Sequence, residues 1–253
     1  MCGRYWIITP ADVLISRFRV RGEVTPLHPR WNAAPGQELP VIRLAAAGER
    51  RLEPMWWGLV PEWAADPADA GRPINARAET AATKPSFREA FRRRRALVPA
   101  DGFYEWKRYG QTAMPFAFRA VSKEPFAIAG LWDEWRPREG PPLHTFALLT
   151  TEASADVAFV HDRMPVILEP GAEELWLDQR LEDAARLAEV LRPLPAGALE
   201  SFAVSPRLNS PRFDDPSVQE RGTPLVSGPP KPARSGEQAQ RNLWENGDDD
   251  DAA

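Results

Sequence analysis

Cysteine occurs once in these 253 residues, and histidine three times, as His28, His144 and His161. One cysteine rules out an intrachain disulfide, and a single thiol with three scattered imidazoles lacks the spacing of a structural zinc site. No apolar run approaches the roughly 20 residues that cross a bilayer. No basic segment followed by an apolar stretch opens the chain in the manner of a secretory signal. These absences point to a reducing, cytoplasmic protein, with no membrane, no metal and no cofactor expected. A basic excess is also missing, since the net charge is −4. Residues 221–253 hold four Lys/Arg and six Asp/Glu, so the first 220 residues carry the other −2. Polyanion binding then has to come from a local patch, for which Arg4, Arg72, Arg77 and the run Arg92 to Arg95 are candidates. The alternative for that run is a solvated helix face.

With 43% hydrophobic residues the chain can bury a substantial core. Ten tryptophans stand out; most belong in that core, and those beside polar residues could stack on a base. Residues 1–8 read as a short strand. Thr9-Pro10-Ala11-Asp12 reads as a helix start with a capping threonine. Trp31 to Pro35 reads as a loop, with strands at 39–44 and 54–60 and a long loop at 61–74. Asn75 to Thr80 reads as a helix start, and Ser86-Phe87-Arg88-Glu89 as a capping box opening a helix over 87–95. A hairpin follows around Tyr109-Gly110, then strands at 126–132 and 145–151, helices at 171–178 and 182–192, and a last strand at 202–204. Short strands mixed with a few helices give an α+β class: a mixed, barrel-like β-sheet core with surrounding helices. Residues 1–220 form one domain. Residues 221–253 are Pro/Gly/Ser-rich, end in four aspartates, and read as a disordered acidic tail.

The cysteine is Cys2, directly behind Met1. A small side chain at this position lets an aminopeptidase remove the methionine, leaving an amine and a thiol on one residue. Such a 1,2-aminothiol condenses with an aldehyde through its amine and closes a thiazolidine ring through its thiol. Its groups titrate at about 7.7–8.0 and about 8.5, so both are partly reactive near neutral pH. The alternative is an inert packing thiol. Three further segments carry polar groups in conspicuous settings. Asn75 follows the long loop, Glu105 lies in the aromatic strand Gly102-Phe103-Tyr104-Glu105-Trp106, and His161 precedes a strand in His161-Asp162-Arg163-Met164-Pro165. If Glu105 points inward its pKa rises into a useful range; strand alternation by itself favours the wet face.

Six blocks occur in an order that resembles the SRAP family, the SOS-response-associated peptidases, over roughly residues 2–216. They are Met1 to Tyr5, Trp31 to Pro35, Trp57 to Trp63, Asn75 to Thr80, Gly102 to Trp106 and His161 to Leu168. The resemblance implies covalent shielding of abasic sites in single-stranded DNA during the damage response. It implies Cys2 as nucleophile, Asn75 orienting the ring-opened sugar, Glu105 shuttling protons and His161 opening the furanose. It implies Arg4, Arg77 and Arg163 as phosphate contacts and places Trp57 and Trp106 among the DNA-binding residues. A monomer, associated with the nucleoid when bound to DNA, is expected. Trp56 departs from the family pattern, standing where relatives often carry a basic or polar residue, and the block from Val204 to Pro216 matches only loosely. The rival class is an N-terminal-nucleophile cysteine amidohydrolase or peptidase, whose own α-amine serves as base; a non-covalent single-strand-binding module is a third.

Overall fold

The computed structural model describes residues 2–222, apart from 23, 46, 47 and 69. The chain begins with β1 (Arg4–Ile7), α1 (Ala11–Phe18), β2 (Arg30–Ala33), β3 (Glu38–Leu44), β4 (Arg50–Trp57) and β5 (Asn75–Arg77). Two short helices, α2 (Ala78–Ala81) and α3 (Arg88–Arg93), precede β6 (Arg95–Ala100), β7 (Gly102–Tyr109), β8 (Thr112–Ala120), β9 (Phe126–Trp135) and β10 (Leu143–Glu152). The remainder comprises β11 (Arg163–Pro165), β12 (Ile167–Leu168), α4 (Pro170–Leu177), α5 (Ala184–Glu189), β13 (Leu199–Ala203) and two 3-10 turns, Pro206–Asn209 and Pro216–Gln219.

Five of these strands close into a barrel. Antiparallel β3–β4, parallel β4–β10, and antiparallel β10–β9, β9–β6 and β6–β3 pairings complete the circuit, which leaves no open edge among the five. The strands β5 and β11 extend from β10, and β12 from β9. A second, five-stranded sheet in the order β13-β8-β7-β1-β2 packs one face on the barrel. Tyr5, Phe103 and Phe118 from that sheet share a single buried cluster with Leu39, Phe146 and Leu148 of the barrel. The opposite face buries Trp6, Tyr104 and Ala117 under Val204, Leu208 and Val218. The barrel-like α+β class is therefore the fold. Gly102 permits a close approach between strands, since a Cβ there would overlap the Trp6 ring.

Several local expectations change. Residues 30–33 form a strand because β1 and Asp214 supply partners: Tyr5 pairs Ala33, and the Asp214 carboxylate accepts from the Trp31 and Asn32 amides. The Asn32 side-chain amide, fully buried, reaches the carbonyls of Leu208, Ser210 and Phe213 and so fastens the closing segment. Thr9 does not cap α1; its hydroxyl and amide both donate to Asp101 across the β6–β7 corner, and Pro10 takes the cap position. Ser86 caps nothing, and α3 ends at Arg93 because Arg95 enters β6. Asn75 opens a strand rather than a helix, since its segment finds a parallel partner in β10 before α2 begins. The arginine run is divided: Arg92 and Arg93 are exposed on the last turn of α3, as the solvated-face reading has it, whereas Arg94 is half-buried and Arg95 leaves the surface. Arg95 is fully buried and donates to five backbone carbonyls, among them those of Trp176 and Asp178. Arg92 pairs with Glu182, and Arg94 with Asp133 and Glu62. The chain stays ordered to Gly222, whose amide bonds the Ala203 carbonyl; the acidic tail expected from 221 onward lies, from 223, outside the described residues.

Candidate active site

The amino-terminal strand carries Cys2 into the seam between the barrel and the five-stranded sheet. Antiparallel pairing sets Arg4 opposite Tyr104 and Tyr5 opposite Phe103, which brings Cys2 alongside the Glu105 end of β7. Cys2 is fully buried, with its thiol 3.6 Å from the Arg4 carbonyl. Burial, and then the charge of Glu105, pushes the thiol pKa well above its ordinary value. On the barrel side, parallel pairing of β5 with β10 puts Asn75 beside Leu148. The Asn75 Nδ2 donates to the Cys2 carbonyl at 2.8 Å. Its Oδ1 is buried and accepts no hydrogen bond among the described residues.

Trp57 fixes this contact from behind. The expected DNA-contacting role does not fit its position: it is 1% exposed, stacked on Phe146 and tilted against Tyr5. Its indole N–H donates to the Ile74 carbonyl, which also accepts from the Leu148 amide, so the residue preceding Asn75 is held twice. The neighbouring Trp56 points the other way and is 44% exposed, as alternation along β4 requires. Trp106 is half-buried on the outer face, where its indole bonds the Asn209 side chain.

Glu105 is 3% exposed, so it takes the inner face and not the wet one that alternation by itself favours. It lies on the inner face of β7, directly opposite Phe116 of β8. Burial raises its pKa, opposed by the positive amino terminus and by His161. A carboxyl with a raised folded-state pKa contributes stability that is complete below the ordinary value of about 4.3 and is lost as pH rises through the raised one. We expect Glu105→Gln to melt higher than the parent at about pH 8 and equally at about pH 4, by calorimetry. Each ~1 kcal/mol recovered moves the Tm of a domain this size by about 2–4 °C. Equal melting at both pH values would remove burial as the source of the shift.

His161 ends a compact turn in which Ser154 accepts from the Val157 and Ala158 amides, and the His161 amide bonds the Val157 carbonyl. The Arg163 amide donates to His161 Nδ1 at 2.9 Å. The Asp162 carboxylate lies at the same distance from that nitrogen. Arg163 itself turns away from solvent: its guanidinium forks onto Glu79 at 2.6 and 2.9 Å and reaches the Thr150 carbonyl. That pairing holds the Glu79 carboxyl below its usual range. Of the three arginines expected to meet phosphate, Arg77 is exposed, Arg4 is half-buried with a bond to the Gly3 carbonyl, and Arg163 is engaged internally. The four residues expected to react thus come together from four separate segments: Asn75 touches Cys2, and Glu105 is electrostatically coupled to both Cys2 and His161. Sequence reasoning missed the anchoring roles of Asn32 and Trp57, although both fall within the ordered blocks.

A family model described as SOS response associated peptidase (SRAP) matches residues 1–211. The chain belongs to the SRAP family. It is similar to the abasic site processing protein YoqW of Bacillus subtilis, 38% identical over 226 residues that cover 87% of this chain and 99% of that one. It also resembles the abasic site processing protein HMCES of Gallus gallus, at 33% identity over 82% of this chain and 69% of that one. Among solved structures, a protein from Bacteroides thetaiotaomicron superimposes with a TM-score of 0.79 at 27% identity, covering 88% of this chain and all of the other. The SRAP barrel and its second sheet therefore match in sequence and in shape. Among the described residues no helix is long and apolar enough to cross a membrane.

Proposed function

We propose that this SRAP chain processes abasic sites by covalent capture on single-stranded DNA, using Cys2 as its amino-terminal residue after loss of Met1. The observation that carries the proposal is the meeting of Cys2, Asn75, Glu105 and His161 at one seam. The names of its relatives add the substrate. His161 passes a proton to the ring oxygen of the closed sugar and takes up the proton of the anomeric hydroxyl, opening the hemiacetal to the aldehyde and returning to its starting state. The Cys2 amine then adds to the aldehyde carbon. Glu105, whose pKa burial raises, gives a proton to the carbinolamine hydroxyl, which leaves as water and yields the protonated imine and the Glu105 carboxylate. The thiol sulfur adds to the carbon of the protonated imine, whose π electrons return to nitrogen, and the thiol proton passes to the Glu105 carboxylate, closing the thiazolidine and restoring the carboxyl. Asn75 holds the Cys2 carbonyl and offers Oδ1 to a hydroxyl of the opened sugar. Exposed Arg77 supplies a phosphate contact that carries no sequence information.

A buried thiol with a raised pKa favours this route over amide hydrolysis. A hydrolase needs the thiolate for its first step. Capture uses the amine first and the thiol only against an already formed imine, where amine and thiol on one residue give a high effective molarity. The test is incubation with single-stranded DNA carrying one abasic site, beside the intact strand. Capture predicts a heat-stable shifted band with the abasic strand alone. A reversible shift of both strands alike, or peptide cleavage without any adduct, would overturn it in favour of a binding module or a hydrolase.

A further inference from the structure

The inner face of β7 runs Phe103, Glu105, Lys107, Tyr109 and becomes progressively less buried along that line. Beyond Glu105 it emerges at a rim whose most exposed aromatic is Phe159, at 46%. Phe159 lies two residues before His161 on the same turn. Its ring meets Phe116 edge-on at 5.5 Å and Phe118 at 6.2 Å. Phe116 is the cross-strand partner of Glu105, and Phe118 that of Phe103. The Lys107 ammonium sits 5.3 Å from the Phe159 ring centre and 5.6 Å from that of Tyr109. An aromatic ring left open to solvent yet held by two core rings loses little freedom when it receives a flat partner. A cation beside it matches a strand that alternates bases and phosphates.

We propose that Phe159 and Lys107 form a ledge for the nucleotide next to the abasic residue, its base stacking on the Phe159 ring and its phosphate meeting the Lys107 ammonium. The ledge rests on the DNA-capture reading of the neighbouring site and adds to it where the strand enters or leaves. The two are separable, because the ledge acts on intact single strands that Cys2 cannot trap. Affinity for a labelled intact single strand, read by fluorescence anisotropy, is expected to fall about 5- to 150-fold in Phe159→Ala, the range for losing one base–aromatic stack. Phe159→Leu keeps the apolar contact with Phe116 and Phe118 but has no π face, and is expected to lose affinity similarly, while Phe159→Trp retains it. Lys107→Met is expected to lower the slope of log affinity against log salt by about 0.7, one phosphate contact on a single strand. On a strand whose neighbouring nucleotides are tetrahydrofuran spacers, with neither a base nor an aldehyde for Cys2 to trap, the Phe159→Leu deficit is expected to vanish. Parental affinity in Phe159→Leu, or a deficit that persists without the neighbouring bases, would overturn the ledge. Failure of the parent to crosslink abasic DNA while these affinity changes hold would overturn the capture chemistry and leave the ledge standing.

Discussion

Replacing Cys2 with serine is expected to abolish the heat-stable adduct with abasic single-stranded DNA while leaving an imine that borohydride can trap. Serine is small enough for Met1 to be removed, so the amine still reaches the aldehyde. Without the thiol the imine hydrolyses back. The advantage lost is the high effective molarity of a sulfur held two carbons from the amine, and stable product should fall about 10³-fold or more. The burial of Cys2 gives the prediction its force, since a fully enclosed thiol with a raised pKa gains little as a free nucleophile and much as an intramolecular one. A serine variant forming the heat-stable adduct at the parental rate would show that another group carries the bond.

Glu105→Gln is expected to slow adduct formation by about 10²–10⁴-fold, the range for removing a general acid–base, with affinity for intact single strands unchanged. Glutamine keeps the size and position of the side chain opposite Phe116 but cannot release or accept the proton. The pH profile separates chemistry from positioning. In the parent the rate should climb as the amine loses its proton near about pH 8, and fall where Glu105, held above its ordinary value by burial, loses the proton needed for dehydration. The glutamine variant should keep the first limb and lack the second. A proportional loss of rate at every pH, together with weaker DNA binding, would reassign Glu105 to positioning the strand.

Elements whose partners are near in sequence were legible. The β7–β8 hairpin, β9, β10 and α4 follow from local periodicity and turn chemistry around Gly110, and the structure places them within a few residues of the expected ends. Elements that exist because of distant partners were not. The segment Arg30–Ala33 is a strand because β1 and Asp214, far along the chain, complete its hydrogen bonds, and Asn75–Arg77 is a strand because β10 lies beside it. Strand alternation makes neighbours such as Trp56 and Trp57, or Glu105 and Trp106, face opposite ways, but which face is buried depends on which sheet covers which. The second sheet closing over the barrel decides both cases, sending Trp57 and Glu105 inward. The reacting residues were visible as ordered blocks, whereas the holding of Asn75 through Ile74 by Trp57 needed the fold.

The central claim is that the paired amine and thiol of Cys2, freed by removal of Met1, form one ring with the abasic aldehyde. Intact mass of the product formed without reductant tests it most directly. The predicted mass is that of the chain lacking Met1 plus the abasic strand, less one water, with fragmentation placing the strand on Cys2. An adduct that retains Met1, maps to an internal residue, or forms only with borohydride would contradict it.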